Sequence, residues 1–136
     1  MARPFRTCLD SGVLIAAFKG APHLRETALQ ILEDPARVFL TSPFVLLEML
    51  PKAIFNKQVK ETRFYEQFFA RAEFVTDLTA IFSLGEKEAA RSGVGSMDSL
   101  QIAAAHLLKA DAFITTERPT KSIYRASLVK VICLFG

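Results

Sequence analysis

Gly95-Ser96-Met97-Asp98-Ser99-Leu100-Gln101-Ile102-Ala103-Ala104-Ala105, continuing to Ala112-Phe113-Ile114-Thr115-Thr116-Glu117, is the stretch on which the reading of the fold turns. From Leu100 the apolar residues recur at Ala103, Ala104, Leu107 and Leu108, the spacing of a helix that buries one face. Lys109-Ala110-Asp111 ends that run, and Ala112 to Thr116 reads as a short strand of β-branched and aromatic residues. Asp98 stands at the start of the helix and Glu117 just past the strand. In open parallel sheets the strand ends face the ligand crevice, so chemistry is expected here.

The same alternation extends outward in both directions. Phe5 to Leu9 reads as a strand that runs into Asp10-Ser11-Gly12, and Val13 to Phe18 starts a helical turn that Gly20-Ala21-Pro22 breaks. Pro22 suits the first position of a second helix, which carries Leu24, Ala28, Leu29, Ile31 and Leu32 to Asp34-Pro35. Arg37 to Thr41 is a second strand, and Ser42-Pro43 an N-cap followed by an N1 proline. The helix from Pro43 is expected to be interrupted or kinked near Pro51. A helix from about Lys57 to Arg71, a short strand around Phe74-Val75 and a helix from about Leu78 to Arg91 follow, closed by the loop from Gly93 to Gly95. Leu128 to Leu134 makes a last strand. Strands and helices alternate with no low-complexity linker or internal repeat. The expected fold is a single α/β domain over residues 1–136, a three-layer α/β/α sandwich on a mostly parallel sheet.

Composition excludes several alternatives. Half of the 136 residues are hydrophobic and 23% are charged, which excludes a disordered chain. The net charge of +3 suits a polyanionic substrate once it is paired with an acidic site. Cys8 and Cys133 lie in apolar runs at opposite ends of the chain, without a CxxC pairing, and read as buried, reduced thiols. His23 and His106 stand at no metal-ligand spacing. Arg3 and Arg6 ahead of Gly12 to Phe18 faintly mimic a signal peptide, but Asp10 interrupts the apolar region, and no run reaches membrane-spanning length. A cytoplasmic protein is expected.

Four acids carry the functional reading. Asp10 follows the first strand, Glu48 lies in the helix after the second, Asp98 opens a later helix and Glu117 follows the next strand. Right-handed crossovers bring successive strand ends to one edge of the sheet. Four carboxylates gathered there repel one another unless a cation sits between them. Mg²⁺ takes such oxygen ligands and neutralises a phosphodiester under attack, so hydrolysis of a nucleic-acid backbone is the reaction this order suits. Each acid also has a plainer reading. Asp98-Ser99-Leu100-Gln101 has the form of a capping box, with Gln101 reaching back. Asp10 begins a turn, Glu117 precedes Arg118 in a loop, and Glu48 marks a polar edge among Phe44, Val45, Leu46, Leu47, Met49 and Leu50.

Together these residues resemble the PIN-domain nucleases. The matching segments are Leu9-Asp10-Ser11-Gly12-Val13-Leu14-Ile15, Thr41-Ser42 followed by Glu48, Met97-Asp98-Ser99-Leu100-Gln101-Ile102-Ala103-Ala104-Ala105, and Ile114-Thr115-Thr116-Glu117. The resemblance covers nearly the whole chain, and the third segment is its most specific part. It implies a metal-dependent endoribonuclease acting on single-stranded or structured RNA, as in the toxins of bacterial toxin–antitoxin pairs. By the same resemblance Asp10, Glu48, Asp98 and Glu117 would hold Mg²⁺ or Mn²⁺ as the catalytic set, with Thr115 supplying a hydroxyl beside the fourth acid. An antitoxin protein and a homodimer are the implied partners. Two positions depart from the family pattern: Gly12 stands where an asparagine is usual, and Glu117 where aspartate or asparagine is common.

A catalytically weak or inactive PIN-like module, binding nucleic acid or protein, is the competing expectation. A haloacid-dehalogenase-like phosphatase would want a second aspartate where Gly12 stands. Lys52, Lys57, Lys60 and Arg63 read as a solvated face, whereas Arg118 and Lys121, beside Glu117 and followed by Arg125, are expected to contact substrate phosphates. Phe64, Tyr65, Phe68 and Phe69, together with Ile54 and Phe55, either complete the core or form a partner surface, and the resemblance favours a homodimer through this helix and its neighbour.

Overall fold

The computed structural model describes residues 3–135. Its elements are β1 (Phe5–Leu9), α1 (Ser11–Lys19), α2 (Pro22–Leu32), β2 (Arg37–Thr41), α3 (Pro43–Phe55), α4 (Val59–Arg71), β3 (Glu73–Phe74), α5 (Leu78–Ser92), α6 (Ser96–Leu107), β4 (Ala112–Thr115) and β5 (Val131–Cys133), with a 3-10 turn at Ser122–Arg125. The strands form one sheet in the order β3-β2-β1-β4-β5. Every pairing is parallel, so the sheet expected to be mostly parallel is parallel throughout.

Alternation along the strands explains the three layers, because neighbouring side chains leave opposite faces. Leu9, Phe39 and Ile114 pack in one core with Val13 and Leu14 of α1, Ala28 and Leu32 of α2, Val45 and Met49 of α3, and Tyr65, Phe68 and Phe69 of α4. Cys8, Leu40 and Phe113, one position away in the same strands, enter the opposite core with Ile102 and Ala105 of α6. Sheets covered on both faces read as apolar runs, which is why these strands lack polar alternation. Burial pushes the Cys8 thiol up to about 12, with Asp10 adding to the shift, so this cysteine is an inert core residue. Cys133 is also unpaired but only half-buried, unlike the expectation from sequence.

Several helix ends follow local chemistry. Ser42 caps α3, its Oγ accepting from Val45 N at 3.4 Å ahead of Pro43. That helix does not stop at Pro51 but runs on to Phe55. Pro51 is exposed and so is Leu47, whose carbonyl loses its partner, so water can satisfy what the proline removes. Gly93 ends α5 in the left-handed conformation, φ +73°. The aromatic helix α4 turns inward: Tyr65, Phe68 and Phe69 are buried, Phe64 is half-buried, and rings stack across elements, as Phe39 does on Phe68. These aromatics complete the core and do not form a partner surface. What remains exposed is on the neighbouring helix and at the start of α4: Leu47, Ile54, Phe55 and Val59.

The long connection from β4 to β5 is held by a buried acid. Glu88 of α5 is 2% exposed, and its Oε2 accepts from the backbone N–H groups of Ser127 at 3.1 Å and Leu128 at 3.3 Å, while Arg91 pairs with Oε1. Burial alone would raise the Glu88 carboxyl, but Arg91 and the two amides together hold it below the usual range. Glu88→Ala should therefore lower the unfolding free energy at neutral pH by about 1–3 kcal/mol. A group with a lowered folded-state pKa stabilises fully above its unfolded value and loses that contribution as the pH falls. Urea unfolding should thus show wild type and variant converging as the pH drops below 4.5, the ordinary glutamate value.

Candidate active site

In this strand order β1 leads to β2 on one side, whereas its other neighbour, β4, arrives late in the chain. The connections therefore diverge between β1 and β4, the place where open α/β sheets form their crevice. Asp10 is held there directly, its N–H donating to the Ile114 carbonyl at 2.9 Å. The Asp10 carboxylate is buried and caps α1: Oδ1 accepts from Ser11 N at 2.7 Å. Oδ2 accepts from Thr115 Oγ1 at 2.9 Å. Thr115 is fully buried and also accepts from Glu117 N at 3.1 Å, so its hydroxyl joins the first acid to the backbone of the fourth. Glycine at position 12 has a steric cause: a Cβ there would lie 2.2 Å from Thr116 Oγ1. Its freedom lets α1 start hard against the end of β4.

Glu48 projects from α3 with its side chain fixed at both oxygens. Oε1 accepts from Gln101 Nε2 at 2.9 Å and Oε2 from Ser11 Oγ at 3.1 Å. Asp98 is half-buried in the first turn of α6. Gly95, not Asp98, is the N-cap of that helix, and Gln101 reaches across to Glu48 and not back to a cap, so the capping-box reading does not hold. The Asp98 carboxylate makes no hydrogen bond or ion pair among the described residues. Glu117 is exposed; its carbonyl accepts from Tyr124 Oη at 2.6 Å.

Electrostatically Asp98 feels the other three acids. Burial raises the Asp98 carboxyl above its usual range, and Asp10, Glu117 and Glu48 each add to the shift. They do not close into a metal-ligating group: among the described residues no three histidine, cysteine or acidic side chains do so. The four-carboxylate cluster expected from sequence is therefore not formed among the described residues. The physical reason is visible in the bonding, since Asp10 and Glu48 turn to neutral donors of the chain while Glu117 stands in solvent. As a donor set the residues still fit a hard divalent cation. All ligands are oxygens, none of the four forms an ion pair with a lysine or arginine among the described residues, and Asp98 has no partner of its own.

A cleft of about 600 Å³ continues from Glu48 between α1, α3 and α4, lined by Lys19, Lys52, Asn56 and Gln58, with Tyr65 at its base. Arg118 and Lys121 are exposed just beyond Glu117. Arg125 does something else: its Nε donates to the Ser92 carbonyl at 2.7 Å and its Nη2 to that of Gly93 at 3.0 Å, which caps the end of α5. Gln101 and Ser11 were not singled out as site residues by sequence. Gln101 carried a usable signal, a polar residue in the apolar run Leu100 to Ala105, the same signal that marked Glu48.

Comparison with known proteins fits this geometry. The chain matches the PIN domain over residues 7–125. No curated protein matches it. Among solved structures it is similar to VapBC2 from Rickettsia felis, bound to a DNA fragment from its promoter, with a TM-score of 0.70 at 18% identity over 94% of this chain and 98% of that one. VapBC-1 from nontypeable Haemophilus influenzae gives 0.69 at 19% identity over 96% and 99%. A toxin–antitoxin complex from Klebsiella pneumoniae gives 0.67 at 19% over 90% and 94%. At such identities these likenesses speak for the fold, and the family match over most of the length decides membership. The chain belongs to the PIN-domain family.

Proposed function

We propose that this PIN domain is a metal-dependent endoribonuclease that hydrolyses RNA phosphodiester bonds at Asp10, Glu48, Asp98 and Glu117, with Mg²⁺ or Mn²⁺. The observation that carries the reading is Asp98: a half-buried carboxylate without a partner, pressed by three other acids where the sheet connections diverge. A divalent cation held there would supply positive charge against the phosphodiester and lower the pKa of water. Asp10, Asp98 and Glu48 would hold it, and Glu117, exposed and one methylene longer than aspartate, would complete the set. Thr115 fixes the orientation of Asp10 by donating to Oδ2. Arg118 and Lys121 would hold backbone phosphates by contacts indifferent to sequence.

The toxin–antitoxin complexes among the structural neighbours support an antitoxin protein as partner and a cytoplasmic setting. No helix among the described residues is long and apolar enough to cross a membrane. A homodimer is the assembly this reading favours, through the exposed face Leu47, Ile54 and Phe55 of α3. Phe55, 84% exposed, is its natural centre. Phe55→Ser should shift sedimentation from dimer to monomer at micromolar concentration and lower the melting temperature, since a partner that binds the folded state stabilises it; a wild type that is already monomeric there removes the dimer.

The activity is tested by incubating the purified protein with labelled RNA and Mn²⁺, with and without a chelator. Cleavage that the chelator stops supports the nuclease, and binding without cleavage selects the interaction module. Asp98→Asn removes one charge without breaking a hydrogen bond, so the metal-free variant should melt at or above the wild-type temperature. Wild type should gain stability as Mn²⁺ is added, because a ligand that binds the folded state stabilises it. Asp98→Asn and Asp10→Asn should both lose that gain and all cleavage. If both respond to Mn²⁺ like wild type, the acids are not ligands.

Substrate binding gives a separate readout. Arg118→Ala and Lys121→Ala should each weaken RNA binding and lower the slope of log affinity against log salt by about 0.7, the single-strand value per phosphate contact. Unchanged slopes in both variants would remove these residues from the interface.

A further inference from the structure

We propose that Gln101 is a positioning residue for Glu48, a role that rests on the nuclease reading above. Glu48 is exposed on α3 and carries a long side chain that would otherwise sample many rotamers. Its two oxygens are instead bound by neutral donors from two other helices, Ser11 Oγ of α1 and Gln101 Nε2 of α6. Gln101 is the firmer of the two anchors. It is 2% exposed, lies one turn after Asp98 on the same helix, and is followed by the buried residues Ile102, Ala103, Ala104 and Ala105. A single helix therefore presents Asp98 to the site and fixes the orientation of Glu48 across from it.

The other end of the amide sharpens the inference. Gln101 Oε1 is buried and has no hydrogen-bond partner. A desolvated acceptor left in that state disfavours folding, and an apolar side chain of similar volume would remove the penalty. Reversing the amide gives no relief, because it would set two acceptors, Oε1 and the Glu48 carboxylate, against each other. Packing alone thus argues against glutamine at this position, while orientation of Glu48 argues for it. The neutrality of the donor matters as well. A lysine or arginine here would fix Glu48 but cancel the negative charge that attracts a cation, whereas an amide fixes it and leaves the charge intact.

The test is a Mn²⁺ titration followed by thermal unfolding, in wild type, Gln101→Leu and Asp98→Asn. Gln101→Leu removes both the donor and the unpaired acceptor. Its metal-free melting temperature should equal or exceed that of wild type, while the Mn²⁺ concentration needed for a given rise in melting temperature should increase about 10- to 100-fold, the usual effect of losing a residue that orients a ligand. Asp98→Asn should lose the response altogether. A Gln101→Leu protein whose melting temperature rises with Mn²⁺ as wild type's does overturns the proposal alone, as does a lowered metal-free melting temperature with an unchanged Mn²⁺ response, which would assign Gln101 to packing. A wild type that ignores Mn²⁺ overturns the metal reading and this proposal with it. Should the leucine variant not fold, Gln101→Met, unbranched and more compliant, carries the same comparison with the same two outcomes.

Discussion

The register of β1 against β4 is the constraint on which the site depends. Thr7 pairs with Ala112, Cys8 with Phe113 and Leu9 with Ile114, and Asp10 N–H extends the ladder one step further onto the Ile114 carbonyl. That step sets Asp10 beside Thr115, so its carboxylate meets the threonine hydroxyl. Two cores lock the register. Cys8 and Phe113 fill one, Leu9 and Ile114 the other, and a slip of one residue would exchange them. Below the site, Arg6 N donates to Asp111 Oδ2 at 2.8 Å and Arg6 Nε to the Leu108 carbonyl at 3.1 Å, which ties the start of β1 to the turn before β4. Alignment at the lower end therefore fixes alignment at the upper end.

Charge is distributed with the same logic. Several acids away from the crevice have cationic partners: Asp111 with Arg3, Glu73 with Arg6, Glu61 with Lys19, Asp34 with Arg37, Glu88 with Arg91. At the crevice Asp10 and Glu48 are held only by hydroxyl and N–H donors, and Asp98 by none. Neutral donors fix direction without cancelling charge. The crevice thus keeps a field of one sign that the chain does not neutralise, as the proposed binding of a cation would require.

Much of this was legible in the sequence, and the illegible parts share a cause. Strands β1 and β2 coincide with the apolar runs at 5–9 and 37–41, and the order of the acids along the chain pointed to one edge of the sheet. Misreadings arose where a local pattern has a distant partner. Asp98 to Gln101 has the spacing of a capping box, yet Gln101 binds Glu48, which stands 53 positions earlier. The i, i+4 aromatics of α4 announce packing but not its direction, which Phe18 and Phe39 decide from other elements. Arg125 follows Arg118 and Lys121 closely in sequence, yet its carbonyl partners, Ser92 and Gly93, come from the end of α5. Local spacing states what a residue can do, and tertiary contact selects among those options.

The central place of β1 has a temporal consequence. Its two neighbours are β2, closed early by a short crossover, and β4, which the ribosome delivers about a hundred residues later. Until β4 arrives, a nascent chain offers β1 as an open edge, and Asp10 and Glu48 are present without Asp98 and Glu117. Pairings of such long sequence separation form late, since loop closure must precede the contacts that reward it. The acidic crevice is therefore among the last features to be assembled. A half-made or locally unfolded chain carries its carboxylates scattered, and the crevice exists only with the completed sheet.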